Sequence, residues 1–291
     1  MANTTSKNNL FPESVVKDLF SKAVGKSSLA KLCAQSPVKF NGNTIFVFSM
    51  DDEVALIGEN EAKSGGNITF APVKMVPVKV EYGARVSDEF MYASEEEQLD
   101  ILTAFNDGFS KKVARGLDIM AMHGVNPRTG TASNLITQYF DKGTLIVEYH
   151  ADSPDADIED AVGKLGDVDV TGLAMAKTFA SAMAKLNGPT TGKLYPELAW
   201  GGQPESVNGV PTSVNSTVSF GTSKDMAIIG DFENRFKWGY AKEIPLEVIP
   251  YGDPDNTGKD LKGHNQVYLR AEAYIGWAIL DENAFCRVVS A

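Results

Sequence analysis

Apolar positions recur at helical spacing in two stretches of the chain. Val15, Val16, Leu19, Phe20 and Val24 fall on one face, with Pro12 in a first turn and Gly25 as a stop, which predicts an amphipathic helix over Pro12–Val24. A shorter helical piece is expected over Ser28–Cys33. The second stretch begins at Ser94, where Ser94 and Glu97 form a capping box and Glu95-Glu96-Glu97 places acids in the first turn. Leu99, Leu102, Phe105, Phe109, Val113, Leu117 and Met120 then form one stripe, and Gly124 and Pro127 end it. The pattern predicts one helix of roughly 30 residues, or about 45 Å. In a chain of 291 residues it is a structural spine.

Period-two and short apolar runs fill the rest. Thr44–Phe48 is β-branched and aromatic, and Asn41-Gly42 before it favours a tight turn, so Val38–Met50 is expected as a hairpin. Residues 51–80 are broken by charges, Gly58, Gly65-Gly66, Pro72 and Pro77. They read as a long two-stranded excursion with a glycine-rich tip. Such a ribbon is marginal in water when isolated, so it is expected to lie on another surface, such as a neighbouring subunit. Val78–Val86 alternates as a strand. From 141 to 247 helices and strands alternate: an acidic helix at Asp155–Leu165, a strand at Val170–Met175, a helix at Lys177–Leu186 and a buried strand at Met226–Ile229. The tail returns to β structure at Leu246–Pro250, Gln266–Ile279 and Ala284–Val289, with a polar loop at Asp253–His264. No repeat of fixed period is visible.

Composition narrows the function classes. The hydrophobic fraction, 43%, is that of a globular protein, and its apolar runs are too short for a transmembrane helix. The N-terminus shows no charged head followed by an apolar stretch, which predicts folding in a cytoplasm. Cys33 and Cys286 make neither a disulfide framework nor a metal spacing and are expected as buried thiols. The net charge is -11, although residues 1–50 carry +4. A protein that grips DNA needs clustered cations, so this chain is expected to enclose nucleic acid, if anything, without gripping it. The basic N-terminal arm reads either as a helix face in solvent or as a docking segment for an acidic partner.

Catalytic motifs are absent or incomplete. Gly25-Lys26-Ser27 lacks the leading glycine and strand of a phosphate loop. Ser14-x-x-Lys17 and Ser28-x-x-Lys31 lack companion motifs. His123, His150 and His264 have no carboxylate or Cys at ligand spacing. Asp152–Asp169 contains Asp-x-Asp pairs but not the ligand series of a calcium loop, and reads as a solvated helix face. No cofactor, metal or enzymatic activity is expected.

Several segments, in order, resemble one family: the tailed-bacteriophage major capsid proteins of the Hong Kong 97-type fold. They are Leu10-Phe11-Pro12-Glu13 opening a helix, Leu56-Ile57-Gly58-Glu59, Phe70, Pro77-Val78-Lys79, Val86-Ser87-Asp88-Glu89-Phe90, the spine from Ser94, the loop Gly124–Gly130, Gly209-Val210-Pro211, Gly230-Asp231-Phe232, and a close with Arg270, Gly276 and Asp281–Phe285. The Gly-Asp-Phe match is the sharpest. The resemblance implies an α+β fold with an N-terminal arm at 1–40, an extended β-hairpin loop at 41–80, a peripheral domain at 81–140 and 248–291 holding the spine, and an axial domain at 141–247. It implies a subunit that self-assembles as pentamers and hexamers into an icosahedral head around double-stranded DNA, residing in the virion after assembly in the host cytoplasm. Expected partners are other copies of the chain, a scaffolding protein, a portal and a decoration protein, with no membrane. Expected subunit-interface residues are Glu59, Lys63, Phe70, Arg85, Asp231 and Arg270. Lys63 is also a conceivable donor for the Lys–Asn cross-links of some members, against the simpler reading of an exposed lysine. Members with a scaffolding segment carry a long helical stretch before the arm, where this chain has about ten polar residues. The alternatives left open are a nanocompartment shell of the same fold, a cytoplasmic enzyme with a carboxylate site, and a tail or decoration protein.

Overall fold

The computed structural model describes residues 27–50, 52–63, 65–92, 95–188 and 192–291. The expected helix at Pro12–Val24 and most of the basic arm lie outside these residues. The described chain opens with α1 (Ser28–Leu32), capped by the Ser27 side chain. Strand β1 (Asn43–Met50) pairs antiparallel with β2 (Ile68–Met75). This corrects the expected hairpin. The Asn41-Gly42 turn forms, with Gly42 at φ +85° and its N–H donating to the Lys39 carbonyl at 2.8 Å. The residues before it do not pair with β1, because Gln35 and Ser36 are held by Trp238 instead. The ribbon therefore begins at Asn43, before the excursion expected at 51–80 and within the loop at 41–80 that the resemblance implies.

Strand β3 (Val78–Ser87) leads through a single 3-10 stretch to the spine α2 (Glu95–His123). Its 29 residues span roughly 44 Å at 1.5 Å per residue. Gly124, at φ +66°, ends it by donating to the Met120 carbonyl at 3.0 Å. Then follow β4 (Leu145–Glu148), α3 (Pro154–Leu165), β5 (Gly172–Met175), α4 (Lys177–Met183), the two-residue strands β6 (Asn187–Gly188), β7 (Gly192–Lys193) and β8 (Ser206–Val207), and β9 (Val210–Val214). The chain closes with β10 (Asp225–Gly230), α5 (Phe232–Arg235), β11 (Phe236–Ile249), β12 (Gln266–Ile279) and β13 (Phe285–Val289).

The strands sort into two main sheets. One is mixed and six-stranded, in the order β4-β13-β10-β5-β9-β8, and the other is antiparallel, in the order β11-β12-β3. Strand β11 is 14 residues long where a short strand at Leu246–Pro250 was expected. Its first half pairs with the end of β12, Phe236 opposite Ile279, and this long-range pairing extends it. The expected boundary between 247 and 248 thus falls inside one strand. Strand β13, expected with the peripheral segment, is hydrogen-bonded to β10 and β4.

The two sheets meet at four fully buried rings, Phe140, Phe232, Phe236 and Phe285. Phe140 lies 4.8 Å from Phe285 and 5.5 Å from Phe236, centroid to centroid, and Phe232 lies 5.2 Å from Phe285, within the range for favourable ring pairs. Gly230-Asp231-Phe232 builds this junction. A Cβ on Gly230 would stand 2.2 Å from the Ala284 carbonyl, so only glycine fits. Asp231 caps α5 by accepting from the Asn234 N–H at 3.1 Å, which turns Phe232 into the cluster.

The segment after the arm docks on the spine through one carboxylate. Asp118, fully buried in α2, accepts from Ser28 N–H at 2.8 Å, Leu29 N–H at 3.1 Å and Thr217 Oγ1 at 2.7 Å, and from the Ser27 hydroxyl. Burial pushes its pKa above the ordinary value, against the pull of those donors. Trp238 Nε1 donates to the Cys33 carbonyl at 2.9 Å and continues the attachment along β11. Asp118→Ala strands two backbone N–H groups and two hydroxyls. It is expected to cost about 3 kcal/mol or more and to expose residues 27–40 to protease, read by urea denaturation and limited proteolysis.

Candidate functional site

Alternation along the ribbon decides which side chains it presents. Ile45 and Val73 turn inward and pack near Val38, Met75 and Ala278. Phe46, Phe48 and Met50 point the other way, opposite Pro72, Phe70 and Ile68. The rings of Phe48 and Phe70 lie 5.2 Å apart. Yet Phe46 is 68% exposed, Phe70 65% and Met50 72%. Towards the tip, Val54 and Leu56 are fully exposed. Among the described residues, one face of a two-stranded ribbon is thus a row of apolar side chains without cover, the mark of a surface that binds another protein.

The six expected interface residues divide into two groups. Glu59 and Lys63 are exposed at the tip, and Phe70 is on the apolar row. Arg85, Asp231 and Arg270 are engaged within their own chain. Arg85 reaches from β3 into the loop between β11 and β12 and pairs with Asp253 and Asp255. Asp231 is the buried cap described above. Arg270 on β12 bonds Glu247 Oε2 at 2.7 Å, across the strand pair.

A buried charge cluster joins the spine to the six-stranded sheet, and sequence spacing did not reveal it. Arg287 on β13 donates from Nη1 to Asp225 Oδ1 at 2.8 Å and to Asp141 Oδ1 at 3.1 Å. His123 Nδ1 lies 3.0 Å from Asp141 Oδ2 and 3.7 Å from Asp225 Oδ2, and Nε2 faces the Thr217 carbonyl at 2.9 Å. These three groups lie within 4.8 Å of one another, as metal triads do, but here Arg287 supplies the positive charge. Burial, followed by the neighbouring Asp141, raises the Asp225 carboxyl to about 7. Burial works against a charge on His123, yet the bond to Asp141 and its charge hold the imidazole pKa above the ordinary value. His150 likewise has a carboxylate, Asp157 Oδ1 at 2.8 Å. Spacing along the chain marked no ligand set around the three histidines, and the fold brings a carboxylate to His123 and to His150. Asp157, expected on a solvated face, is buried, while most of the other acids of α3 are exposed. Both cysteines are buried and free, as expected. The polar loop Asp253–His264 also carried a signal left unread: Asp253, Asp255 and Thr257 alternate before Gly258.

Among the described residues no helix is long and apolar enough to cross a membrane. An α+β subunit with an uncovered apolar ribbon is the form of a shell protein, and residues 7–290 match the phage capsid family, to which the chain belongs. It is similar to a solved structure from Mycobacterium phage Ogopogo, at 34% identity and TM-score 0.78, with 92% of each chain covered. It shares its fold with one from Gordonia phage Cozz, at 24% identity and TM-score 0.75, covering 91% of this chain and 87% of that one. The capsid of a native GTA particle has the same fold, at 16% identity and TM-score 0.66, covering 93% and 90%. No curated protein matches. The role expected from the sequence, major capsid protein of a phage head, stands on these findings, and the nanocompartment alternative is not favoured.

The buried cluster predicts a pH dependence. Asp225 and His123 both have raised pKa values in the fold. Their contribution to stability is complete below the ordinary carboxylate value of 3.8 for Asp225 and is lost as pH rises through about 7. The melting temperature is expected to fall between pH 5 and pH 8, and Asp225→Asn to flatten that slope. An equal slope in the variant would place the titration elsewhere.

Proposed function

We propose that the chain builds its head in the manner of Hong Kong 97-type capsids. The arm expected at 1–40 is anchored on its own spine and β11 over its last part, from Ser27, its earlier part lies along a neighbour, and the ribbon with its tip is the extended loop. The β3–β11–β12 sheet with the spine is the peripheral domain, and the six-stranded sheet with α3 and α4 is the axial domain. The protein is structural and not catalytic. Pentamers and hexamers close an icosahedral shell, assembled in the host cytoplasm with a scaffolding protein and a portal and able to carry a decoration protein.

The observation that carries this reading is the exposed row Phe46, Phe48, Met50, Ile68 and Phe70. A subunit with such a face gains by burying it on a second copy, and at about 25 cal/mol per Å² an area of several hundred Å² contributes substantially to assembly. A ring of subunits needs head-to-tail contacts that close, and a projecting ribbon lying on the next subunit is one. Gly58, Gly65 and Gly66 let its tip adapt between five-fold and six-fold rings. The chain's net charge of -11 leaves packaged DNA enclosed without sequence-specific binding.

Phe48→Asp with Phe70→Asp tests the proposal. The two rings touch each other on an uncovered face, so the subunit is expected to keep its melting temperature to within about 2 °C. Closed shells should vanish from negative-stain micrographs, leaving free subunits or rings in analytical ultracentrifugation. Normal shells from the double variant would remove the ribbon from the assembly interface.

A further inference from the structure

The loop between β11 and β12 converges on one nitrogen atom. Arg85 Nη2 lies 2.7 Å from Asp253 Oδ1, 2.5 Å from Asp255 Oδ1, 2.6 Å from Thr257 Oγ1 and 2.9 Å from the Lys259 carbonyl oxygen. A guanidinium NH2 carries two hydrogens. Four oxygens around it require both hydrogens to be shared between acceptors, and the oxygens gather on one nitrogen as they would on a small cation. Asp255 is held a second time, by Arg85 Nε at 2.9 Å and 3.1 Å.

The order of the oxygens carries the same message. Counting from Asp253, the donors are the side chains at positions one, three and five and the backbone carbonyl at seven, with Gly258 at six. Calcium loops supply oxygens from those positions and use glycine at six for the sharp turn. Gly258 sits at φ +79°, as such a turn requires. Its N–H donates to Asp253 Oδ2 at 2.7 Å and the Thr257 N–H donates to Asp253 Oδ1 at 3.0 Å, which fastens the first carboxylate across the loop. The series departs at twelve, where calcium loops close the sphere with a bidentate Glu. His264 stands there, its Nδ1 turned to the Asp260 carbonyl at 2.8 Å. The cation comes from outside the loop, on β3.

We propose that Asp253–Lys259 is a calcium-type oxygen cage whose resident cation is the Arg85 guanidinium, and that removing this guanidinium converts the cage into a Ca2+ site. The guanidinium closes the β11–β12 end of the sheet permanently, so the subunit needs no metal there. With Arg85 gone, two carboxylates, one hydroxyl and one carbonyl remain. The oxygens need to contract by only a few tenths of an ångström to reach the roughly 2.3–2.6 Å of Ca2+ bonds. Mg2+ demands an octahedron at about 2.0–2.1 Å and fits such a one-sided cage poorly. With no Glu at twelve, the affinity belongs with the weak calcium modules, a Kd of about 10⁻⁴–10⁻³ M.

Thermal melting and calorimetric titration of the full chain with CaCl2 and MgCl2 test this. Wild type is expected to melt at the same temperature in EDTA and in 10 mM Ca2+. Arg85→Ala is expected to melt lower in EDTA and to rise by about 4 °C in 10 mM Ca2+, with no rise in Mg2+ and none when Asp255→Asn is added. An equal Ca2+-dependent rise in wild type would show that the guanidinium is not the occupant and overturn the proposal. So would a folded Arg85→Ala that ignores Ca2+. If Arg85→Ala unfolds in EDTA, recovery on refolding from urea with Ca2+ supports the cage. Failure to recover with Ca2+ counts against it, because the ion then cannot replace the guanidinium.

Discussion

The junction of the two sheets depends on four phenylalanine rings and the backbone that brings them together. Phe236 begins β11 and Phe285 begins β13, so each of the two strands leaves the same cluster into a different sheet. Phe232 enters through the α5 turn, and Phe140 enters from the chain that follows the spine. Because protein interiors are close-packed and not fluid, this contact fixes the two sheets relative to each other. The buried Arg287–Asp225–Asp141 cluster and the Asp118 anchor then tie the spine and the first described segment to the same frame. Every feature that reaches outward starts from that frame.

Against this rigid interior, the ribbon is under-supported within its own subunit. Its inner face has Ile45 and Val73 against a small cluster with Val38, Met75 and Ala278, and its outer face is uncovered among the described residues. A two-stranded ribbon of this kind is marginal alone. Among the described residues it gains little support, and a neighbouring subunit in the proposed shell would supply the rest. A shell subunit of the phage capsid family, which self-assembles, has a use for such a face.

Internal ion pairs replace tertiary cover at the other end of the three-stranded sheet. Arg85 holds the loop after β11, and Arg270 with Glu247 and Lys79 with Glu272 lace neighbouring strands. The exposed pairs contribute little individually. Arg85 differs because its partners surround it, and its bond to Asp255 holds that carboxyl well below the usual range.

Local pattern alone determined the elements whose stabilisation is local. The spine was legible because an apolar stripe and a terminal glycine act within one helix, and Gly230-Asp231-Phe232 was legible because each residue answers a constraint of the turn it occupies. The two-stranded excursion was legible in kind, but local pattern put its start at 51, since β1 pairs with β2 across the tip and no local signal marks such a partner. The length of β11 was likewise decided by β12. His123, Asp141, Asp225 and Arg287 are scattered along the chain and meet only when α2, β10 and β13 pack. Arg85 was expected at an interface and is engaged by a loop about 170 residues later. Hydrophobic periodicity reports which face of an element is buried, whereas a buried charge or a strand partner is set by which elements meet, and that information exists only in the folded chain.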